Sequence, residues 1–188
     1  ASWRKAEQAV QPWRGGWVMA LTAGLGRVDR TALKARERAL ALLGMEQLDN
    51  EVYIRPDNLA GGVDRIRSRL YALGLEGSAA VFLAHGFDAQ RESRAAHLWD
   101  VKELIKTYRN GRHTLEKSLI KLEKLPLEVA AKEAYATGNY AIRQLVFDPM
   151  LPEPLIDVEE RRSFREAVRN YEDVGRGLWR KFYASASP

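Results

Sequence analysis

The apolar positions of this chain change their rhythm about halfway along. GWVMALT, Gly16 to Thr22, is a short apolar run and reads as a buried strand. The glycine loop AGLG follows. Asp29 or Thr31 can then cap a helix that ends at Gly44. MEQLDNEVYIRP reads as two strands around Asp49-Asn50. Leu59, Val63, Ile66, Leu70 and Leu73 keep helical spacing until Gly74 stops them, and SAAVFLAHGF reads as another strand. The order strand, helix, strand, strand, helix, strand is the ferredoxin-like pattern, with both helices on one face of an antiparallel sheet.

Beyond Phe87 the texture changes. DAQRESRA is polar and reads as a boundary. Leu98, Val101, Leu104, Ile105 and Tyr108 then form a helical stripe, and Leu115, Leu119 and Leu122 a second one before Pro126. A further helix is expected from about Pro126 to Phe147, with Gly138 as a weak point, and a last one from about Glu159 to Tyr183. The fold class expected is therefore α+β: a linker or tail at 1–16, a ferredoxin-like βαββαβ domain at 17–92, and an all-helical domain at 93–188. Trp3, Trp13 and Trp17 are apolar for a free linker, so part of the first segment is expected to pack.

Composition narrows the function classes. Zero cysteines among 188 residues excludes disulfides, thiolate metal sites and cysteine nucleophiles, and fits a reducing, cytoplasmic setting. No run approaches the ~18 apolar residues a membrane span needs. The net charge of +5 hints at an anionic partner, although 30 basic residues stand against 25 acidic ones. The chain begins at Ala1 without a methionine and reads as a piece of something longer.

Candidate chemistry is sparse. His85, His97 and His113 lie in different elements and at no metal-ligand spacing. GLGRVD, Gly24 to Asp29, begins like a dinucleotide-binding loop but lacks the third glycine and a following parallel strand. No catalytic residue, metal site or cofactor is predicted, and the chain is not expected to be an enzyme. On the last helix Arg161, Arg162, Arg165, Arg169, Arg176 and Arg180 fall within roughly a 100° arc, opposite Phe164, Val168, Tyr171, Leu178 and Phe182. That basic face reads either as a solvated surface, partly neutralised by Glu172 and Asp173, or as a phosphate-binding one. A smaller basic set, Arg65, Arg67 and Arg69, lies on the second helix.

The segment QLVFDPMLPEPLID, Gln144 to Asp157, breaks a helix with three prolines yet stays apolar. Asp148, Pro149, Leu151 and Pro152 form the break. Asp148 can cap backbone donors there, and Leu151, Leu155 and Ile156 can anchor it. With LWDVKELIKTY, Leu98 to Tyr108, the DPMLP stretch resembles the PaaX-like repressors of phenylacetate degradation. The Trp-led strand, the basic helix and the hairpin LGMEQLDNEVYIRP are similar to that family too, in the same order. Two departures stand out: Thr22 lies where the family tends to carry an acidic residue, and IDVEERRSF replaces a Pro and Trp after the break.

The resemblance implies the effector-sensing and dimerisation part of a repressor that is released by an aryl-CoA thioester such as phenylacetyl-CoA. It implies a homodimer, and operator DNA read through a winged helix that is not legible before Trp17. Phosphates and an aryl group need arginines beside an apolar slot. Arg143, Arg165 and Arg169 are the candidates for the former, Trp99 and Tyr108 for the latter. The alternatives are a small metal-dependent nuclease of ferredoxin-like fold, which needs an aspartate near Thr22, and a dimerisation module without a ligand.

Overall fold

The computed structural model describes residues 10–186. The chain divides into two compact units. One holds the residues up to Asp100 together with Phe147–Ile156; the other holds Val101–Val146 and the chain from Asp157 onward.

The first unit is built on a four-stranded antiparallel sheet in the order β2-β3-β1-β4. Its elements are β1 (Trp17–Leu21), α1 (Arg30–Leu42), β2 (Glu46–Asp49), β3 (Val52–Pro56), α2 (Gly62–Leu73), β4 (Ala80–Ala84) and α3 (Ala89–Ala96). Asp29 caps α1, its Oδ1 accepting the amides of Thr31 and Ala32 at 2.8 and 3.2 Å. Gly74 ends α2 in the left-handed conformation at φ 115°. The alternation along β1 sends Val18 and Ala20 into a core with Val81, and with Leu40 and Leu70 from α1 and α2. Trp17 points to the other face and is fully buried as well.

That second face is where the sequence expectation needs correction. The polar stretch from Asp88, read as a boundary, is the helix α3. It has almost no apolar stripe to announce it, but Asp88 caps it by accepting the Arg91 amide at 2.9 Å. Glu92 on this helix accepts the Trp17 indole N–H at 3.2 Å. Arg94 donates to the Leu48 carbonyl and meets Asp49 at 2.9 Å. Trp17 also stacks on Phe87 and on Trp99, with ring centroids 6.3 and 6.2 Å apart, and Trp13 meets it edge-on. Part of 1–16 therefore packs, through Trp13; Trp3 lies outside the described residues. Phe82 is 38% exposed on the edge strand β4.

The second unit consists of three helices, α4 (Val101–Leu122), α5 (Leu127–Val146) and α6 (Val158–Ala186). The two stripes read as separate helices before Pro126 are one continuous α4. Gly138 does not interrupt α5; it is buried in its interior, facing Tyr171. The buried face of α5 is mostly alanine (Ala130, Ala131, Ala134, Ala141), which lets α6 approach closely. On α4 a side chain at Gly111 would overlap the Phe164 ring. Tyr108 stacks on the same ring at 6.2 Å, and Ser118 shares a 2.7 Å hydrogen bond with the Tyr171 hydroxyl. No helix among the described residues is long and apolar enough to cross a membrane.

One ion pair ties the loop after β1 to the far side of the first unit. The buried Arg36 on α1 binds Glu76 through two nitrogens and donates to the Gly26 carbonyl at 2.9 Å. The hydrogen bond from Arg36 holds the Glu76 carboxyl below its ordinary value of 4.5. A depressed carboxylate contributes stability that is complete above that ordinary value and is lost as pH falls through the lower folded one. Acidification below pH 4.5 is therefore expected to lower the urea midpoint of the native chain more steeply than that of Glu76→Gln. Parallel pH profiles for the two proteins would contradict this role for the pair.

Candidate functional site

The most elaborate polar arrangement in the chain surrounds the proline-rich break. Arg55 on β3 is buried on the helix-facing side of the sheet, opposite Val18. Its guanidinium donates to four acceptors: the carbonyls of Leu43 (2.6 Å), Pro56 (3.1 Å) and Pro149 (3.3 Å), and Oδ1 of Asn58 (3.0 Å). Asn58, also buried, donates onward to the Met150 carbonyl at 2.8 Å. Desolvation pushes Arg55 down to about 10, with Asp57 and Asp148 opposing the shift, so it stays a cation at neutral pH.

The break is shaped to meet these donors. Asp148 Oδ1 accepts the Met150 amide at 2.7 Å, which closes a tight turn. Met150 sits at φ 58°, a left-handed conformation that costs a non-glycine residue about 1 kcal/mol or more. The hydrogen bonds at both of its peptide groups hold it there. Pro149 lies against Gly44, where a Cβ would stand 2.5 Å from the Pro149 Cα, and Gly44 itself has φ 64°. Only glycine serves at that position. Leu151 is fully buried, and Ile156 nearly so.

The five effector candidates fall into different environments. Trp99 belongs to the first unit, buried, with its indole N–H donating to the Gly44 carbonyl at 3.3 Å. Tyr108 is buried in the second unit against Phe164. Arg165 is buried, whereas Arg143 and Arg169 are exposed. The basic arc on α6 is thus not one surface. Arg161 and Arg165 lie nearest its apolar edge and are buried. Arg162 and Arg176 are exposed and pair with Glu159 and Asp173.

An open groove of about 370 Å³ runs between α4 and α6, at the small end of ligand-site volumes. Arg112, Glu116, Ser163, Glu166 and Asn170 supply polar groups, and Leu115, Leu119 and Ala167 apolar ones. None of the five candidates lines it. Among the described residues no group of three or more His, Asp or Glu is placed to hold a metal ion. Thr22, where a nuclease reading needs an aspartate, is buried, and its hydroxyl donates to the Glu51 carbonyl at 3.3 Å.

Sequence reasoning passed over Arg55 and Asn58. The available signal was a charged residue at an inward position of an otherwise apolar strand, VYIRP.

Residues 99–181 match the family model of the PaaX-like protein C-terminal domain. No curated protein matches the sequence. Among solved structures, the chain is similar to an uncharacterised protein from Mycobacterium tuberculosis, with a TM-score of 0.64 and 16% identity over 95% of this chain and 70% of that one. At that identity the likeness speaks for the fold alone.

Replacing Arg55 by methionine keeps much of the volume but leaves the Leu43, Pro56 and Pro149 carbonyls without their donor. The expected loss is roughly 3–5 kcal/mol of unfolding free energy, read from the urea midpoint. A loss under about 1 kcal/mol would mean that the network is incidental.

Proposed function

We propose that this chain, which carries a PaaX-like C-terminal domain, is the effector-sensing and dimerisation part of a transcriptional repressor of phenylacetate catabolism. The observation that carries the reading is the family match over residues 99–181. The first unit supports it: its strand order, with β1 between β3 and β4, is the order a ferredoxin-like domain takes. The parent protein reads its operator as a homodimer through a winged helix. An aryl-CoA thioester binds better to an arrangement that misplaces the DNA-reading parts, and so shifts the population away from the operator-bound state.

The geometry bears on which candidates do what. Arg143 and Arg169 are exposed and suit the phosphates of a CoA thioester. The leucines of the α4–α6 groove suit the apolar end of the ligand, while its Arg112 is paired with Glu116. Tyr108 and Arg165 act from the interior, by holding the helices that carry these groups, and Trp99 by packing within the first unit.

Calorimetric titration tests the proposal. Phenylacetyl-CoA is expected to bind saturably, with free CoA and phenylacetate at least tenfold weaker, a difference of about 1.4 kcal/mol. Arg143→Ala is expected to weaken the thioester by roughly tenfold without changing the urea midpoint. Binding of none of the three compounds would remove the effector-sensing role. Unchanged affinity in the variant would remove Arg143.

A further inference from the structure

The sequence draws attention to the arginines of α6, but a second row of cations lies on α1. On α1, Arg30, Lys34 and Arg38 recur at every fourth position and so line one stripe, about 12 Å long. All three are exposed. Arg27 is exposed in the loop just before the helix. Among the described residues none of these four cations has an ion pair or a side-chain hydrogen bond. The acids nearest in sequence do not neutralise them: Asp29 is turned to the helix N-terminus as its cap, and Glu37 makes no ion pair. On α2, Arg65 and Arg69 are exposed too, while Asp64 is taken by Arg67 at 2.6 Å.

Part of the second unit shows a different arrangement. There several cations pair with acids at helical spacing: Lys106 with Glu103, Arg112 with Glu116, Lys132 with Glu128, Arg162 with Glu159 and Glu166, Arg176 with Asp173, while Lys102, Lys117, Arg143 and Arg180 are exposed without such a pair. Such interleaving is what a helix surface facing only water shows. The α1 stripe makes no such pair, although Glu37 stands three residues after Lys34. It is also held in place. The buried Arg36 on the same helix binds Glu76 and the Gly26 carbonyl, so the loop carrying Arg27 is tied to α1. The backbone that carries the row is held, so the freedom lost on meeting an anion is that of the side chains alone.

We propose that the outer face of α1 is a contact surface for the phosphate backbone of duplex DNA. A duplex carries one negative charge per about 1.7 Å of axis, so a stripe of this length faces several phosphates at once. Contacts of this kind position a protein on DNA and carry no sequence information. The inference rests on the regulator reading above, and adds to it a surface that engages DNA independently of any winged helix.

The test is fluorescence anisotropy of a labelled random-sequence duplex with the 188-residue chain, between about 50 and 200 mM salt. Arg30→Gln/Lys34→Gln/Arg38→Gln removes the stripe while keeping good helix formers. Arg109→Gln/Arg162→Gln/Arg176→Gln removes the same charge from cations that are paired with Glu160, Glu159 and Asp173. The native chain is expected to bind with a steep salt dependence. The stripe variant is expected to bind roughly tenfold more weakly at low salt, with a log–log slope shallower by two to three units, since each phosphate contact contributes about 0.9. The charge-matched control is expected to keep the native slope.

Equal losses in the two variants would reduce the effect to net charge and overturn the proposal. So would absence of duplex binding by the native chain, including the case where phosphatidylserine vesicles bind through the same residues instead. Thioester titration of the stripe variant separates this surface from the effector reading. Thioester binding together with an unaltered salt slope sinks the surface alone. A shallower slope in a chain that binds no thioester supports the surface and sinks effector sensing alone.

Discussion

A single buried cation organises the first unit. Arg55 lies inside the sheet's helix-facing layer with no carboxylate in hydrogen-bonding contact; its four acceptors are three backbone carbonyls and one side-chain amide. A guanidinium brings a large desolvation cost into such a place, and only a full set of acceptors offsets it. Two of those carbonyls, Leu43 and Pro149, come from segments about a hundred residues apart in sequence. The break after α5 therefore has to be where it is. Its prolines stop the helix, its aspartate closes the turn, and its carbonyls turn inward to Arg55 and Asn58. Its greasy residues fill the space around that contact, which is why a helix stop in this chain is apolar.

Much of the first unit is legible in the sequence because its signals are local. Alternation marks β1, Asp29 and Gly74 mark helix ends, and the hairpin announces itself at Asp49-Asn50. The helix α3 is the exception. It is only eight residues long and polar, and it is held by contacts to Trp17, Leu48 and Asp49 that no local pattern encodes. The break was equally visible as a helix stop, but its packing partners were not, since proximity in sequence would group it with the helices on either side.

The candidate site was less legible, and for a related reason. A helical wheel assigns Arg161 and Arg165 to a basic arc, yet it cannot say how wide the covered face is; both are buried. Trp99 and Tyr108 were singled out as ring systems for a ligand, and each ring is packed against another aromatic. Aromatic side chains contribute so much to packing that a lone sequence cannot separate the two uses. What sequence did offer, unread, was Arg55 itself, a charge at an inward strand position.

The account makes the segment from Phe147 to Ile156 part of the first unit's folded core rather than a loop. Native-state hydrogen exchange on the unaltered chain tests this most directly. The amides of Met150, Leu155 and Ile156 are bonded to Asp148 and Pro152 in a buried setting. They are expected to exchange as slowly as those of β1, opening only when the whole unit unfolds. Exchange at the rate of an exposed loop, while β1 stays protected, would show that Arg55 does not hold the segment, and the account would fail at its centre.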